Sequence, residues 1–174
     1  YTPAGKRIPI LSGEWGYSAT TLSPLRQGNY LARQWLGNMA AGVPVSIWYD
    51  WHDDGQDAKE IEHHFGTVTW EYAAKPAYTA MKTLTTQLNG WMPQGRINVT
   101  DENDFVLLFT QNDGIQLAAW TIADPHPLDL GANMRIGTAV DQDGAVQEMN
   151  ANSLTLAQRP LYLTLAEPPS VWLK

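Results

Sequence analysis

The chain changes its hydrophobic rhythm once. Up to about residue 90, apolar positions with a helical period alternate with short apolar runs; beyond it only short strand-like segments remain. Residues 8–12 form an apolar run ending in Gly13-Glu14-Trp15-Gly16-Tyr17-Ser18, where the glycines stop a strand and let the backbone turn. Ser23-Pro24 follows, an N-cap with proline at the first helical position. Leu31, Trp35 and Met39 then recur every four residues beside Ala32 and Leu36, and Gly42 stands where a left-handed residue ends a helix. Residues 43–49 predict a buried strand and 50–64 a polar loop leading into 65–70. Residues 76–89 predict a second helix with the face Ala77, Met81, Leu84 and Leu88, ended by Gly90. Strand, helix, strand, helix in this order predicts a parallel sheet or part of a barrel.

From residue 91 the segments 104–111, 115–122, 134–141, 153–157 and 161–166 are rich in Val, Leu, Ile, Thr and aromatics. Turn signals separate them, among them Asn112-Asp113-Gly114 and Asp141-Gln142-Asp143-Gly144. Closely spaced strands with Asp-Gly turns predict an antiparallel β-sandwich. The expected organisation is therefore α/β plus β, with an α/β segment over 1–90 and a β-sandwich over 91–174. At 174 residues the chain is too short for an eight-stranded α/β barrel of its own, which needs about 250.

Composition narrows the chemistry. The formal charge is −7, from 11 basic and 18 acidic residues. Residues 1–90 carry 7 and 8 of these, and residues 91–174 carry 4 and 10, so the second segment holds −6. An acidic surface repels phosphate backbones and anionic lipid, so no nucleic-acid or membrane partner is expected. No apolar run approaches the roughly 20 residues of a membrane span. Without cysteine there is no disulfide, thiolate metal site or cysteine nucleophile. The aromatic set is 8 Trp and 7 Tyr against 3 Phe, biased toward rings with a polar edge, which serve as packing residues or as ligand platforms. The sequence starts at Tyr1 with neither Met nor signal peptide and reads as a processed product or an excised piece.

Two strand ends gather candidate chemistry. Glu14 sits at the first, followed by Trp15-Gly16-Tyr17; a carboxylate there serves as nucleophile or general base, or is simply exposed on a turn. The second ends in Ser46-Ile47-Trp48-Tyr49-Asp50-Trp51-His52-Asp53-Asp54-Gly55. Sugars are bound by such sets, with rings stacked on C–H faces and carboxylates or imidazoles bonded to hydroxyls; the plainer role for Trp48 and Trp51 is packing. Strand alternation puts Ser46, Trp48 and Asp50 on one face, and Trp48 and Glu14 are expected to look into one mouth. Asp53, Asp54, Asp57, Glu60 and Glu62 do not match a calcium loop, His63-His64 diverge on any regular element, and no His-Glu-x-x-His motif occurs. No metal and no cofactor are expected. A Gly-x-Ser-x-Gly elbow and Gly-rich phosphate loops are absent, and the Asn98-Val99-Thr100 sequon matters only in a eukaryotic secretory setting.

Residues Ile10-Leu11-Ser12-Gly13-Glu14-Trp15-Gly16-Tyr17-Ser18 resemble the seventh-strand end of clan-A retaining glycoside hydrolases of the family five and thirty-nine type. In that family the Glu is the nucleophile. Tyr30-Leu31-Ala32-Arg33-Gln34-Trp35-Leu36 and Gly42-Val43-Pro44-Val45-Ser46-Ile47-Trp48-Tyr49-Asp50-Trp51 resemble the seventh helix and eighth strand of the same barrels. Glu62-His63-His64-Phe65-Gly66 and Lys75-Pro76-Ala77-Tyr78 resemble the run into the eighth helix, and the remainder resembles an appended β-sandwich down to Arg159-Pro160-Leu161-Tyr162-Leu163.

The resemblance implies a partial (β/α) TIM-barrel segment over 1–90 followed by the sandwich, and a retaining glycosidase acting on a β-linked oligo- or polysaccharide. Glu14 becomes the nucleophile and Trp48 the floor under the sugar, with Trp15, Tyr17, Asp50, Trp51 and His52 as substrate contacts. It also exposes a departure. The family's acid/base Glu belongs to the fourth strand, which has no counterpart here, and retaining hydrolysis needs two carboxyls about 5–5.5 Å apart. The expected partners are therefore the saccharide and either further copies of the chain, as a homo-oligomer, or a polypeptide carrying the missing barrel half. A secreted or periplasmic setting is favoured over the cytoplasm. The rival readings are a non-catalytic carbohydrate-binding module and an interaction protein.

Overall fold

The computed structural model describes residues 4–5, 8–128, 130, 134–148 and 154–167. Among them the chain runs through β1 (Ser12–Trp15), α1 (Pro24–Ala40), β2 (Ser46–Trp48), one 3-10 turn at Glu62–His64 and α2 (Pro76–Gln87). Strands β3 (Met92–Ile97), β4 (Asp104–Gln111), β5 (Gly114–Thr121), β6 (His126–Pro127), β7 (Arg135–Asp141), β8 (Thr155–Leu156) and β9 (Leu161–Glu167) follow. Over the described residues the fold is sheet-rich with two α-helices.

Both helices obey their end signals. The Ser23 side chain accepts from the Arg26 amide at 3.3 Å and Pro24 opens α1, while Ala41 caps its end before Gly42 at φ +70°. Pro76 opens α2, and Gly90 follows its end at φ +80°. Leu31, Ala32 and Leu36 of α1 are buried, as are Ala77, Ala80, Thr83 and Leu84 of α2.

Strand β1 lies later than the apolar run that foretold it. Ile8, Ile10 and Leu11 stay exposed, Ile10 at 75%, and pairing starts only at Ser12. Among the described residues β1 pairs with β2 alone, in parallel, through Ser12↔Ser46 and Trp15↔Trp48 with an irregularity between them. Among the described residues none pairs with residues 8–11, so they do not join the strand.

The later strands build one antiparallel sheet in the order β3-β4-β5-β9-β7. Its two faces hold separate cores. Leu107, Phe109, Ala118, Trp120 and Tyr162 pack on Ala32 and Leu36 of α1 and Ala80 and Leu84 of α2. Val106, Ile115, Leu117, Ala119 and Leu163 pack on Leu128, Leu154 and Leu156, around the short β6–β8 pair. Strand β5 is sealed on both faces, each buried Ile or Leu side chain contributing about 1.5–3 kcal/mol. The buried amide of Gln142, in the β7 turn, donates to Asn29 Oδ1 at 2.9 Å and ties that turn to α1.

Strand β3 has no clear signature in the sequence, because Pro93 and Gly95 interrupt its alternation. It survives as an edge strand whose register shifts between those residues, where Gly95 sits at φ +125°.

Candidate active site

The site is built where β1 and β2 end side by side. Ser12 N–H donates to Val45 O at 3.0 Å, and Tyr49 N–H donates to Trp15 O at 2.9 Å. Between Trp15 and Tyr17 the two backbones meet so closely that a Cβ on Gly16 would lie 1.7 Å from the Tyr49 carbonyl oxygen. Only glycine lets Glu14 and Trp15 end one strand while Tyr17 turns back over its neighbour.

Beyond Gly16 the rings form a chain. Trp15 meets Tyr17 edge-on at 6.3 Å, and Tyr17 lies 4.6 Å from Tyr30 and 6.2 Å from Trp48. Trp48 is 8% exposed and packs with Leu31 and Ala77 of the two helices. Its Nε1–H donates to Phe65 O at 3.1 Å, an oxygen that also receives Asp50 N–H at 3.3 Å and the buried Gln27 amide at 3.2 Å. Gln27 Nε2 also reaches Tyr17 O and His64 O, so one buried side chain on α1 fastens the segments after both strands. Ser46, on the same face as Trp48, accepts from Asn38 of α1 at 2.8 Å, whereas Ile47 between them is 51% exposed. Trp48, expected as a sugar floor, is thus tied to the helix side of the strand pair.

Glu14 is exposed at the end of β1. The Tyr49 hydroxyl is held above its ordinary value first by desolvation, then by the charges of Asp50, Asp54, Glu62 and Glu14. Asp50 is half-buried, its Oδ1 has no hydrogen-bond partner, and its carboxyl is pushed up to about 6. Desolvation is the main cause, and the negative charges of Asp54 and Asp53 add to it.

Asp53 is structural. It is buried against Lys75 Nζ at 2.7 Å, with His64 Nδ1 at 3.7 Å, and Lys75 also donates to His64 O at 3.2 Å. The pair closes the acidic loop onto the start of α2. His63 and His64 serve the same loop: His63 Nδ1 accepts from Asp57 N–H at 3.2 Å, and His64 Nε2 donates to Asp57 O at 2.8 Å.

Trp51 and His52 belong to a second aromatic group. Thr69 N–H donates to Ala73 O at 2.8 Å and Tyr72 N–H to Thr69 O at 2.9 Å, closing a tight turn that puts Tyr72 at φ +63°. His52 pairs with Val68 beside it, and its Nε2 donates to Trp70 O at 3.0 Å. The His52 ring stacks on Tyr72 at 4.4 Å and lies 5.5 Å from Trp70 and 5.9 Å from Trp51. Trp51, Trp70 and Tyr72 remain 61%, 47% and 65% exposed. The sequence singles out Trp51 and His52 of this ledge but not Trp70 and Tyr72, for which the available signal was the aromatic pair flanking Glu71 on a turn.

A cavity of about 810 Å³ opens between α1 and the sheet, lined by Trp15, Tyr17, Tyr30 and the arginines 26, 33 and 96 among others. Arg33 lies over the Tyr30 ring at 4.6 Å and Arg96 over Phe105 at 4.1 Å.

The geometry is thus a parallel strand pair that ends in a carboxylate and aromatic rings, flanked by helices and followed by an antiparallel sheet. No protein-family model matches the chain, and no curated protein matches its sequence. Solved structures do match. The chain is similar to a family 39 glycoside hydrolase from the gut symbiont Bacteroides cellulosilyticus WH2, at a TM-score of 0.83 and 25% identity over 95% of this chain and 35% of that one. It is also similar in fold to a family 30 subfamily 8 xylanase from Clostridium acetobutylicum, with TM-score 0.58, 15% identity, and 92% and 43% of the two chains covered. A family 39 β-xylosidase from Caulobacter crescentus matches at TM-score 0.53 and 12% identity, over 92% and 44%. These three neighbours are clan-A glycoside hydrolases, and this chain spans less than half the length of each.

Proposed function

We propose that the chain forms the nucleophile-bearing part of a retaining glycoside hydrolase acting on a β-linked oligo- or polysaccharide, built as a partial (β/α) barrel with an appended β-sandwich. The observation that carries the reading is Glu14 at the end of a strand paired in parallel with β2, in a chain whose fold follows a family 39 enzyme over 95% of its length. Glu14 attacks the anomeric carbon; the glycosidic oxygen leaves with a proton from an acid, and water then releases the sugar. Trp15 and Tyr17 follow the carboxylate, Trp48 braces the strand pair from the helix side, and Asp50, Trp51 and His52 border the site. A secreted or periplasmic setting, where a polymeric substrate would be met, accompanies this reading.

The acid comes from elsewhere. The exposed apolar side chains Ile8, Ile10, Leu11 and Ile47 lie on or beside the strand pair, as an uncovered barrel wall would leave them. We assign the cover to the missing barrel strands, supplied by a longer polypeptide, by a partner chain or by further copies of this one. In the active assembly Glu14→Gln should lower turnover by several orders of magnitude while the fold is kept, since an amide cannot form the glycosyl ester. Retention of a tenth of the activity would end the assignment.

The exposed ledge of Trp51, Trp70 and Tyr72 favours a second reading, a carbohydrate-binding module without catalysis. Oligosaccharide binding that survives Glu14→Gln, in an assembly with no turnover to lose, would select it.

A further inference from the structure

Among the described residues, one group of three His and carboxylate side chains converges on a common point, and it shares no residue with the site above. Asp101, Asp104 and His126 each present a ligand atom, all within 4.8 Å of one another. Asp101 and Asp104 stand at the β3–β4 connection, and His126 opens β6.

The hydrogen bonds leave these donors unsatisfied in a particular way. His126 Nδ1 lies 2.9 Å from the Asp124 carbonyl oxygen, which can only accept, so Nδ1 carries a hydrogen. In the neutral ring Nε2 then faces Asp104 Oδ2 with a lone pair, 3.0 Å away, and either a second ring proton or a metal ion can join the two atoms. Two lone pairs do not face each other at that distance unless a positive species stands between them. An imidazole held through its other nitrogen by a backbone carbonyl is the arrangement of metal-bound histidines.

The Asp104 carboxylate supplies the second, independent observation. Its side chain is 10% exposed, and its other oxygen, Oδ1, is buried with no partner at all. A proton shared with His126 would occupy Oδ2 and leave Oδ1 bare. The nearest cation does not help: Arg96 Nη2 donates to the backbone carbonyls of Glu102 and Asp104, at 2.8 and 2.6 Å. Asp101 spends Oδ1 on the Asn103 backbone and side-chain N–H groups, both at 2.9 Å, which frees Oδ2. The adjoining cavity, about 640 Å³, is lined by Asp101, Glu102, Asp104 and His126 among others and by no lysine or arginine.

We propose that Asp101, Asp104 and His126 bind one divalent transition-metal ion of the zinc or manganese kind, which clips the β3–β4 connection to β6. The mixed set of one imidazole nitrogen and carboxylate oxygens selects such an ion over calcium, which takes oxygen donors alone. The clip fastens the thin β6–β8 layer to the sheet it covers.

The test uses the full chain stripped with EDTA, desalted, and titrated with zinc chloride by calorimetry and thermal melting. Zinc at a hundredfold its Kd should raise Tm by about 5 °C or more. Asp104→Asn and His126→Ala should each weaken zinc binding tenfold or more, whereas His63→Gln should leave it unchanged. Should Asp104→Asn fail to fold, His126→Ala alone decides, since that side chain is partly exposed. Zinc without effect on the parent chain overturns the proposal and leaves a proton between Asp104 and His126. An equal zinc response in the parent and both variants overturns it too.

Discussion

Strands β5 and β1 stand in opposite surroundings. From Ile115 to Thr121 every side chain of β5 is buried, one face under the helices and the other under the β6–β8 pair. In β1 only Ser12 is even partly buried, and the apolar residues before it lie open. The difference separates two tasks. The sheet stabilises the chain, while the parallel pair presents a carboxylate, several rings and an apolar flank that is exposed among the described residues. On our reading, that flank is where the rest of the barrel seats, so the chemistry lies at the least self-sufficient part of the molecule.

Paired substitutions break this comparison most sharply. Leu117→Ala, in the sealed strand, should cost about 2–5 kcal/mol in denaturant unfolding. Ile10→Ser on the open flank should change the stability of the isolated chain by less than about 0.5 kcal/mol, yet weaken its association with whatever completes the barrel. Light scattering of the chain alone, or pull-down with the missing half, reads that second effect. A large stability loss from Ile10→Ser would mean that residues 8–11 are packed in solution.

Lys75→Met tests whether the loop beside the site is fixed from within. It removes the partner of Asp53 and leaves a carboxylate whose side chain is 7% exposed, so a loss of about 3–5 kcal/mol is expected. A loss below about 1 kcal/mol would show that water reaches the pair.

Asp50 gives a smaller effect with a definite sign. Its carboxyl is raised to about 6 in the fold against an ordinary 3.8, so the folded chain holds a proton that the unfolded chain has released between those values. Stability from this group therefore falls as pH rises from about 4 through about 6, and the full penalty stands above that. Asp50→Asn should raise Tm at pH 7 and leave it unchanged near pH 3. An equal gain at both pH values would assign the effect to packing.

What the sequence could disclose follows local physics. Helix α1 was legible because Ser23, Pro24, Gly42 and the four-residue spacing are all local signals. Strand β4 was legible end to end, since the Asn112-Asp113 turn after it fixes the register Gln111↔Gly114. Strand β3 was hidden by Pro93 and Gly95, and β6 by having only two residues. At the site, Glu14 and the polar-aromatic run after Trp48 stood out, because they cluster in sequence. The helix-side packing of Trp48 could not be read, since parity fixes which residues share a face but not which face looks inward. The ledge was half legible: Trp51 and His52 stood out, whereas Trp70 and Tyr72 reach His52 only through the pairing of residues 52 and 68.

The most direct measurement traps the reaction at Glu14. The active assembly is incubated with a series of 2-deoxy-2-fluoro glycosides carrying good leaving groups, which slow release of the glycosyl ester, and the digested protein is mapped by mass spectrometry. The account predicts one added glycosyl unit on the peptide that contains Glu14, absent in Glu14→Gln. An adduct on another carboxylate, such as Asp50, or turnover with no covalent adduct, would contradict it.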